Sequence, residues 1–409
     1  MKLSFKKFII TPQKPCMQAG YVQRTHEYTE VHDDIYSTVF VITNENSKFV
    51  WIGADVIGFN KEFVNVLIDK VKEKGIELNE SNLIIGGTHD HSSASTNFVD
   101  SDYGRANTEY AEYLTGMYAD VIKELWDEEG TEVKAKYCCA LIDGLYSNRN
   151  DANKLSDKVV HLLGFFHGDE IVAVYFNRAC HNTVLGPDNY RLTSEIFGMT
   201  RDILEKRIGG TFMMTNGNAG DMGNRQYRTG QTFADCEKMA FNLADQIVRK
   251  HTKWTDICMD HVSHKHVEYR KTIMLDSSIY VDKIADFEER LTHTDDLTER
   301  KVLLSGIAGF KIKMGYGDGP KELVMPADIF TFEDLQIVTI PGELGSILGL
   351  GIKAASNKKA CILWGYVGAC DLGYMVDEEA YQLECQETNT TIYPQGMPEE
   401  YRDFIISHM

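Results

Sequence analysis

The chain has no stretch of about 18 uninterrupted apolar residues, so no spanning helix is expected. It has no Lys/Arg run longer than Lys-Lys, and its 61 acidic residues outweigh 42 basic ones for a net charge of −19. Nucleic acid and an anionic membrane surface would both be repelled, and neither is expected as a partner. There is no Cys-x-x-Cys pair. Nine cysteines is an odd number, and the adjacent Cys138 and Cys139 suit a buried strand better than a bridge. Free thiols in a reducing cytoplasm are therefore expected. The opening segment, Met1 to Gln13, carries Lys2, Lys6 and Lys7 but only a short apolar run and no cleavage-type site, so no signal peptide is expected. Linkers rich in Pro, Ser or Gly, internal repeats and low-complexity tracts are also missing.

What is present is ordinary globular material: 43% hydrophobic and 25% charged residues over 409 positions. That length allows two or three domains, or one large α/β domain. Strand-like and helix-like pieces alternate almost throughout. Ser37 to Ile42 and Phe49 to Ala54 read as strands around the turn Asn44-Glu45-Asn46. Lys61 to Lys74 and Tyr110 to Trp126 read as amphipathic helices, with the short strand Leu83 to Ile85 between them. Val159 to Phe166 and Glu170 to Phe176 read as a hairpin. Helices are expected over Glu195 to Arg207, capped by Thr193 or Ser194 and stopped at Gly209-Gly210, and over Thr232 to Lys250. His261 to Met274 alternates as a strand, Val281 to Phe310 reads as helix, and strands Leu335 to Ile340 and Ala360 to Tyr366 flank the helix Ser346 to Ala355. The expectation is a single mixed α/β domain over residues 1–409, with a helical lid or outer layer at residues 277–326. The charge-rich stretch Asp282 to Lys313 is a lid, a dimer surface or a solvated face, so the sequence leaves oligomerisation open.

Five polar clusters follow strands. Gly87-Thr88-His89-Asp90-His91-Ser92 contains His-x-His; on extended backbone both rings face one side, which suits a metal site, although two polar loop histidines are the alternative. His181 in Ala179-Cys180-His181 reads by itself as a structural histidine, and Cys180 beside it points the other way along a strand. Asn216-Gly217-Asn218-Ala219-Gly220-Asp221-Met222-Gly223-Asn224-Arg225 is either a Gly/Asn turn or a loop presenting N–H groups to an oxyanion. It lacks a P-loop ending. Glu343, where a strand meets a helix, is a functional carboxylate or a helix-dipole partner. Gly373-Tyr374, read in isolation, is packing.

Order and spacing resemble the neutral/alkaline non-lysosomal ceramidase family, from about Gly20 to Gly396. Gly53-Ala54-Asp55, the His-x-His segment, Ser147-Asn148-Arg149-Asn150, His181 through Leu192-Thr193-Ser194-Glu195 and Gly198, Asn218-Ala219-Gly220-Asp221, Ile340-Pro341-Gly342-Glu343, and Gly373-Tyr374 with Glu379-Ala380-Tyr381 are similar to that family's motifs in the same order. The resemblance implies a fold of two central mixed β-sheets flanked by helices and one catalytic zinc (Zn2+). Its ligands would be His89, His181, Glu343 and Tyr374. His91, Asp90 and Asp221 would be catalytic, and Asn148, Arg149, Asn218 and Gly220 would bind substrate.

Zinc would activate water and polarise an amide carbonyl. The resulting oxyanion would be met by the zinc, His91 and N–H groups near Gly220, with His91 or Asp90 protonating the leaving amine. Departures from the family pattern narrow this. Gly223 stands where ceramidases carry a serine followed by proline, Glu195 replaces an Asp, Asp371 occupies the first of two tyrosine positions, and the family's C-terminal β-domain is not expected. The reading is a zinc-dependent hydrolase of a small soluble substrate, cleaving an amide. A metal-dependent enzyme acting on a sugar or cyclic compound and a non-catalytic metal-binding relative are the alternatives.

Overall fold

Short apolar strands separated by polar turns leave many backbone edges to pair, and the chain resolves them into three larger sheets. The computed structural model describes residues 1–101, 104–251, 253–368 and 372–409, with backbone alone at 297 and 298; Asp371 lies outside the described residues. The first sheet runs Leu83–Gly87, Lys48–Ala54, Tyr36–Thr43, Lys2–Ile9, Thr131–Glu132. The second runs Thr211–Asn216, Glu170–Arg178, Val159–His167, Lys134–Leu141, Thr255–Ile257. The third runs Ser263–Leu275, Gly319–Thr331, Leu335–Ile340, Ala360–Gly365.

Each sheet is antiparallel except for one parallel pair at its edge. Parallel strands need a crossover, and in each case a helix provides it. Lys61–Glu73 joins Lys48–Ala54 to Leu83–Gly87. Glu195–Ile208 lies between Glu170–Arg178 and Thr211–Asn216. Ser346–Ala355 joins Leu335–Ile340 to Ala360–Gly365. The carboxyl ends of parallel strands are where such folds expose their loops, so this arrangement brings three sets of loops to one place.

The sheets meet on a shared apolar interior. Trp51, Tyr175 and Trp364, one from each sheet, stack edge-on or tilted at centroid distances of 5.4, 5.0 and 6.0 Å. Close approach is needed as well: a Cβ on Gly365 would fall 2.2 Å from the Gly217 carbonyl oxygen. Helices cover the outer faces. Phe63, Leu67 and Val71 of one helix and Leu114 and Tyr118 of another pack on the first sheet. Helix Phe233–Lys250 turns Met239, Leu243 and Ile247 inward at helical spacing against the second. It begins with a reciprocal cap between Thr232 and Asp235. Leu348 and Ile352 with Tyr401 and Ile405 back the third.

The mixed α/β architecture, sheets flanked by helices, is the expected one, with three larger sheets where the resemblance implies two. Two local expectations change. The helix read over Val281 to Phe310 is two, Ser278–His293 and Leu297–Gly315, because Asp296 caps a new start by accepting from the Glu299 N–H at 2.7 Å. The helical span does not reach Pro326: Gly317 and Gly319 take positive φ, and Gly319–Thr331 is a strand paired along its length with Ser263–Leu275. The opening residues form the strand Lys2–Ile9 inside the first sheet. Cys138 and Cys139 do lie on a strand, the first buried and the second exposed, and the eight described cysteines are free thiols. Among the described residues no helix is long and apolar enough to cross a membrane.

Trp364→Ala would open a cavity where the sheets meet, and we expect a loss of about 3–5 kcal/mol, read as a lower urea midpoint. Leu155→Ala, two-thirds exposed, should stay within about 0.5 kcal/mol of the parent.

Candidate metal centre

His89 follows the first sheet's parallel edge and His181 the second's, while Glu343 follows the Leu335–Ile340 strand of the third. His89 adopts φ +59°, so the backbone there is a left-handed turn and the two-residue alternation of a strand does not apply. His89 and His91 face the same point all the same, because Asp90 bridges to Asn182 and its N–H donates to the Val56 carbonyl at 3.1 Å. Tyr366, also at positive φ, stacks on the His89 ring at 4.1 Å.

Each imidazole is oriented by its Nδ1. His89 Nδ1–H donates to the Ile57 carbonyl at 3.2 Å and His91 Nδ1–H to that of Gly20 at 3.0 Å. His181 Nδ1–H donates to the Ala219 and Met222 carbonyls at 2.8 and 3.1 Å. All three Nε2 atoms are thereby left as lone-pair acceptors turned inward. The candidate ligand atoms of the three rings lie within 4.8 Å of one another. Glu343 Oε2 joins them, 3.5 Å from His89 Nε2 and 3.3 Å from His181 Nε2. The Tyr374 hydroxyl is 3.3 Å from His181 Nε2 and accepts from Arg149 Nη2 at 3.1 Å.

Burial sets the charge state. It holds His89 down to about 3 and His91 and His181 well below the usual imidazole range. The rings are neutral at pH 7, the form that binds metal. Burial also raises Glu343, with His89 and Arg149 opposing. Among the described residues, His91 Nε2 and Glu343 Oε2 are buried without hydrogen-bond partners. Three imidazole nitrogens and a carboxylate converging on one buried point, with the Tyr374 hydroxyl beside them, form a group that could hold a cation. A donor set of imidazole nitrogens with carboxylate and phenol oxygen is one that zinc takes.

The centre opens into a cavity of about 150 Å³. Of the residues expected from sequence, His89, His91, His181, Glu343, Tyr374 and Arg149 line it. Asn148, Gly220 and Asp221 instead line a smaller neighbouring cavity behind Glu343 and Tyr374. Asp221 is a clamp: it accepts from Asn148 Nδ2 and from the Ser346 N–H, both at 2.8 Å, and its carbonyl accepts from the Arg149 N–H at 2.7 Å. Burial pushes its carboxyl up to about 6. The Gly220 N–H donates to the Leu344 carbonyl at 3.0 Å, so it is not turned to an oxyanion; a Cβ there would meet the Glu343 carbonyl oxygen at 2.3 Å. Asn218 Nδ2 donates to the Ser346 carbonyl at 3.1 Å. Asp90 accepts from the Ser92 N–H at 2.8 Å and does not line the cavity, which separates it from any leaving group.

Two supports tie the loops together. Glu195 accepts from Ser92 Oγ at 2.9 Å and from the Val184 N–H at 2.6 Å, so it binds the His91 loop to the His181 loop. Asp55 pairs with Arg201 in the interior. Sequence reasoning missed Arg225, Arg228 and Lys301 in the cavity wall. Arg225 closes a cluster that was read, but nothing local marks Lys301, which arrives from a helix far along the chain.

Asp221→Ala would leave the Asn148 amide and the Ser346 N–H buried without an acceptor. We expect a stability loss of about 2–4 kcal/mol by denaturant titration, which a purely catalytic carboxylate would not show.

The sequence matches no known family model and no curated protein. Among solved structures, the fold is similar to that of neutral ceramidase from Pseudomonas aeruginosa, at 14% identity and a TM-score of 0.73, over 99% of this chain and 73% of that one. It is similar also to a ceramidase complexed with C2, at 13% identity and a TM-score of 0.74, over 99% and 74% of the two chains. The chain therefore has the neutral ceramidase fold, and the resemblance carried by the order of its motifs holds at that level.

Proposed function

We propose that the protein is a zinc-dependent hydrolase that cleaves a C–N bond, an amide, in a small soluble substrate. The observation that carries the reading is the convergence of three neutral imidazoles and one carboxylate on a single buried point at the head of a cavity. The amide assignment rests on the likeness to ceramidases.

His89, His181 and Glu343 would hold the cation, with the Tyr374 hydroxyl as a further oxygen. Bound there, a divalent cation supplies Lewis acidity, polarising a carbonyl and lowering the pKa of water to about 7. His91, with Nδ1 committed to Gly20 and Nε2 free of hydrogen bonds, takes the proton from the attacking water and returns it to the leaving nitrogen. Arg149 is held by Glu387 and in turn fixes the Tyr374 hydroxyl. Gly223 lines the cavity where the resembling family has a serine, so that position offers no hydroxyl, and in this reading water is the nucleophile. Helix Leu297–Gly315 presents Lys301, Ser305, Ala308 and Ile312 to the cavity as its roof, which limits the substrate to a small one.

Elemental analysis should find one zinc per chain, lost in His181→Ala and Glu343→Gln. His91→Ala should keep the metal and lose turnover by about 10²–10⁴-fold. Loss of metal in His91→Ala would make that residue a ligand, and a parent that takes up no zinc would overturn the reading.

A further inference from the structure

The chain carries a net charge of −19, yet its cavity gathers cations. Arg149, Arg225, Arg228 and Lys301 line it, and among the described lining residues Glu343, committed to the histidine cluster, is the one carboxylate. Arg149 has Glu387. Arg228 Nη1 donates to the carbonyls of Thr183 and Val184 at 2.8 and 3.0 Å. Among the described residues, neither Arg225 nor Lys301 has a carboxylate within ion-pair distance. The Lys301 ammonium lies 4.7 Å from the centre of the Tyr21 ring, a contact that leaves its charge uncompensated. Burial, then Arg225, Arg228 and Arg149, pull Lys301 down to about 7, and Arg225 is lowered by burial and by Arg149. Cations that repel one another inside a concave, half-buried site persist when something else neutralises them. Elsewhere on the surface lysines and arginines form ion pairs with the abundant acids, whereas Glu195 and Glu387 only partly offset the charge of Lys301 and Arg225.

We propose that this wall is the specificity subsite of the enzyme, and that the substrate carries an oxyanion, a carboxylate or a phosphate, seated between Arg225, Arg228 and Lys301 while its scissile amide lies at the histidine cluster. The inference rests on the hydrolase reading for the second half of that statement and stands alone for the first. Guanidinium forks match both oxyanions in geometry. Lys301 reaches the site from the roof helix, so bound substrate also ties the roof to the loop that carries Arg225.

The test is calorimetric titration of the full chain with succinate and, separately, with inorganic phosphate, after chelation so that anions bound by a metal are excluded. Binding of either is expected, weakening with added salt, and falling about tenfold or more in Arg225→Gln and in Lys301→Gln, with Lys301→Arg restoring it. The stronger of the two probes names the oxyanion. Circular dichroism and melting temperature identify a variant that has failed to fold, and the other variant then decides. No binding of either anion, or unchanged binding in both folded variants, overturns the proposal. A chain that binds anions in this way but holds no zinc keeps the subsite and loses the hydrolase; a zinc protein that cleaves only neutral amides and ignores both anions does the reverse.

Discussion

Three imidazole nitrogens and a carboxylate oxygen point at one another inside the protein, and that arrangement governs the rest. Acceptors crowded together in a buried place cost free energy unless something positive or a donor meets them, and the Tyr374 hydroxyl reaches only part of the set. The chain nevertheless invests a backbone carbonyl in every ring: Ile57, Gly20, and the pair Ala219 and Met222. These contacts choose the tautomer and leave the rings no freedom to turn toward other partners. An arrangement this constrained is intelligible as a cage for a cation.

The fold explains how residues so far apart in sequence reach it. Three sheets each contribute one parallel edge, and the loops beyond those edges carry His89, His181 and Glu343 in turn. The aromatic contact of Trp51, Tyr175 and Trp364 sets the mutual position of the sheets, and buried acids then lock the loops. Glu195 spans the two histidine loops, and Asp221 joins the Asn148 segment to the helix that follows Glu343. Residues singled out as catalytic from their motifs thus divide into those that face the cavity and those that hold them there.

Much of this was legible in the sequence, for identifiable reasons. Strands and helices with clean periodicity, such as Lys61–Glu73 and Phe233–Lys250, were read nearly to their ends, because burial of one face imposes the pattern. The polar clusters stood out because they interrupt apolar strands. His89 and His91 share one side as strand alternation predicts, but a left-handed residue does the turning. Gly319–Thr331 escaped because charged, Pro-containing residues of a two-stranded ribbon mimic a solvated helix until the partner Ser263–Leu275 is in view. Asp90 and Asp221 looked catalytic because a motif gives the neighbourhood of a side chain and not its direction.

Lys301 is the instructive omission. In sequence it is one more charge on a helix already crowded with them, and a solvated position is the natural reading. Its meaning comes from the opposite wall, where Arg225 and Arg228 stand. Net charge sums over the whole molecule and so argues against polyanions and anionic membranes, whereas recognition of a small ligand depends on the field inside one concave site. A strongly acidic chain with a basic cavity repels polyanions too large to enter while drawing a small anion inward. The charge distribution that disfavours nucleic acid is thus compatible with the compact oxyanion-bearing amide proposed above.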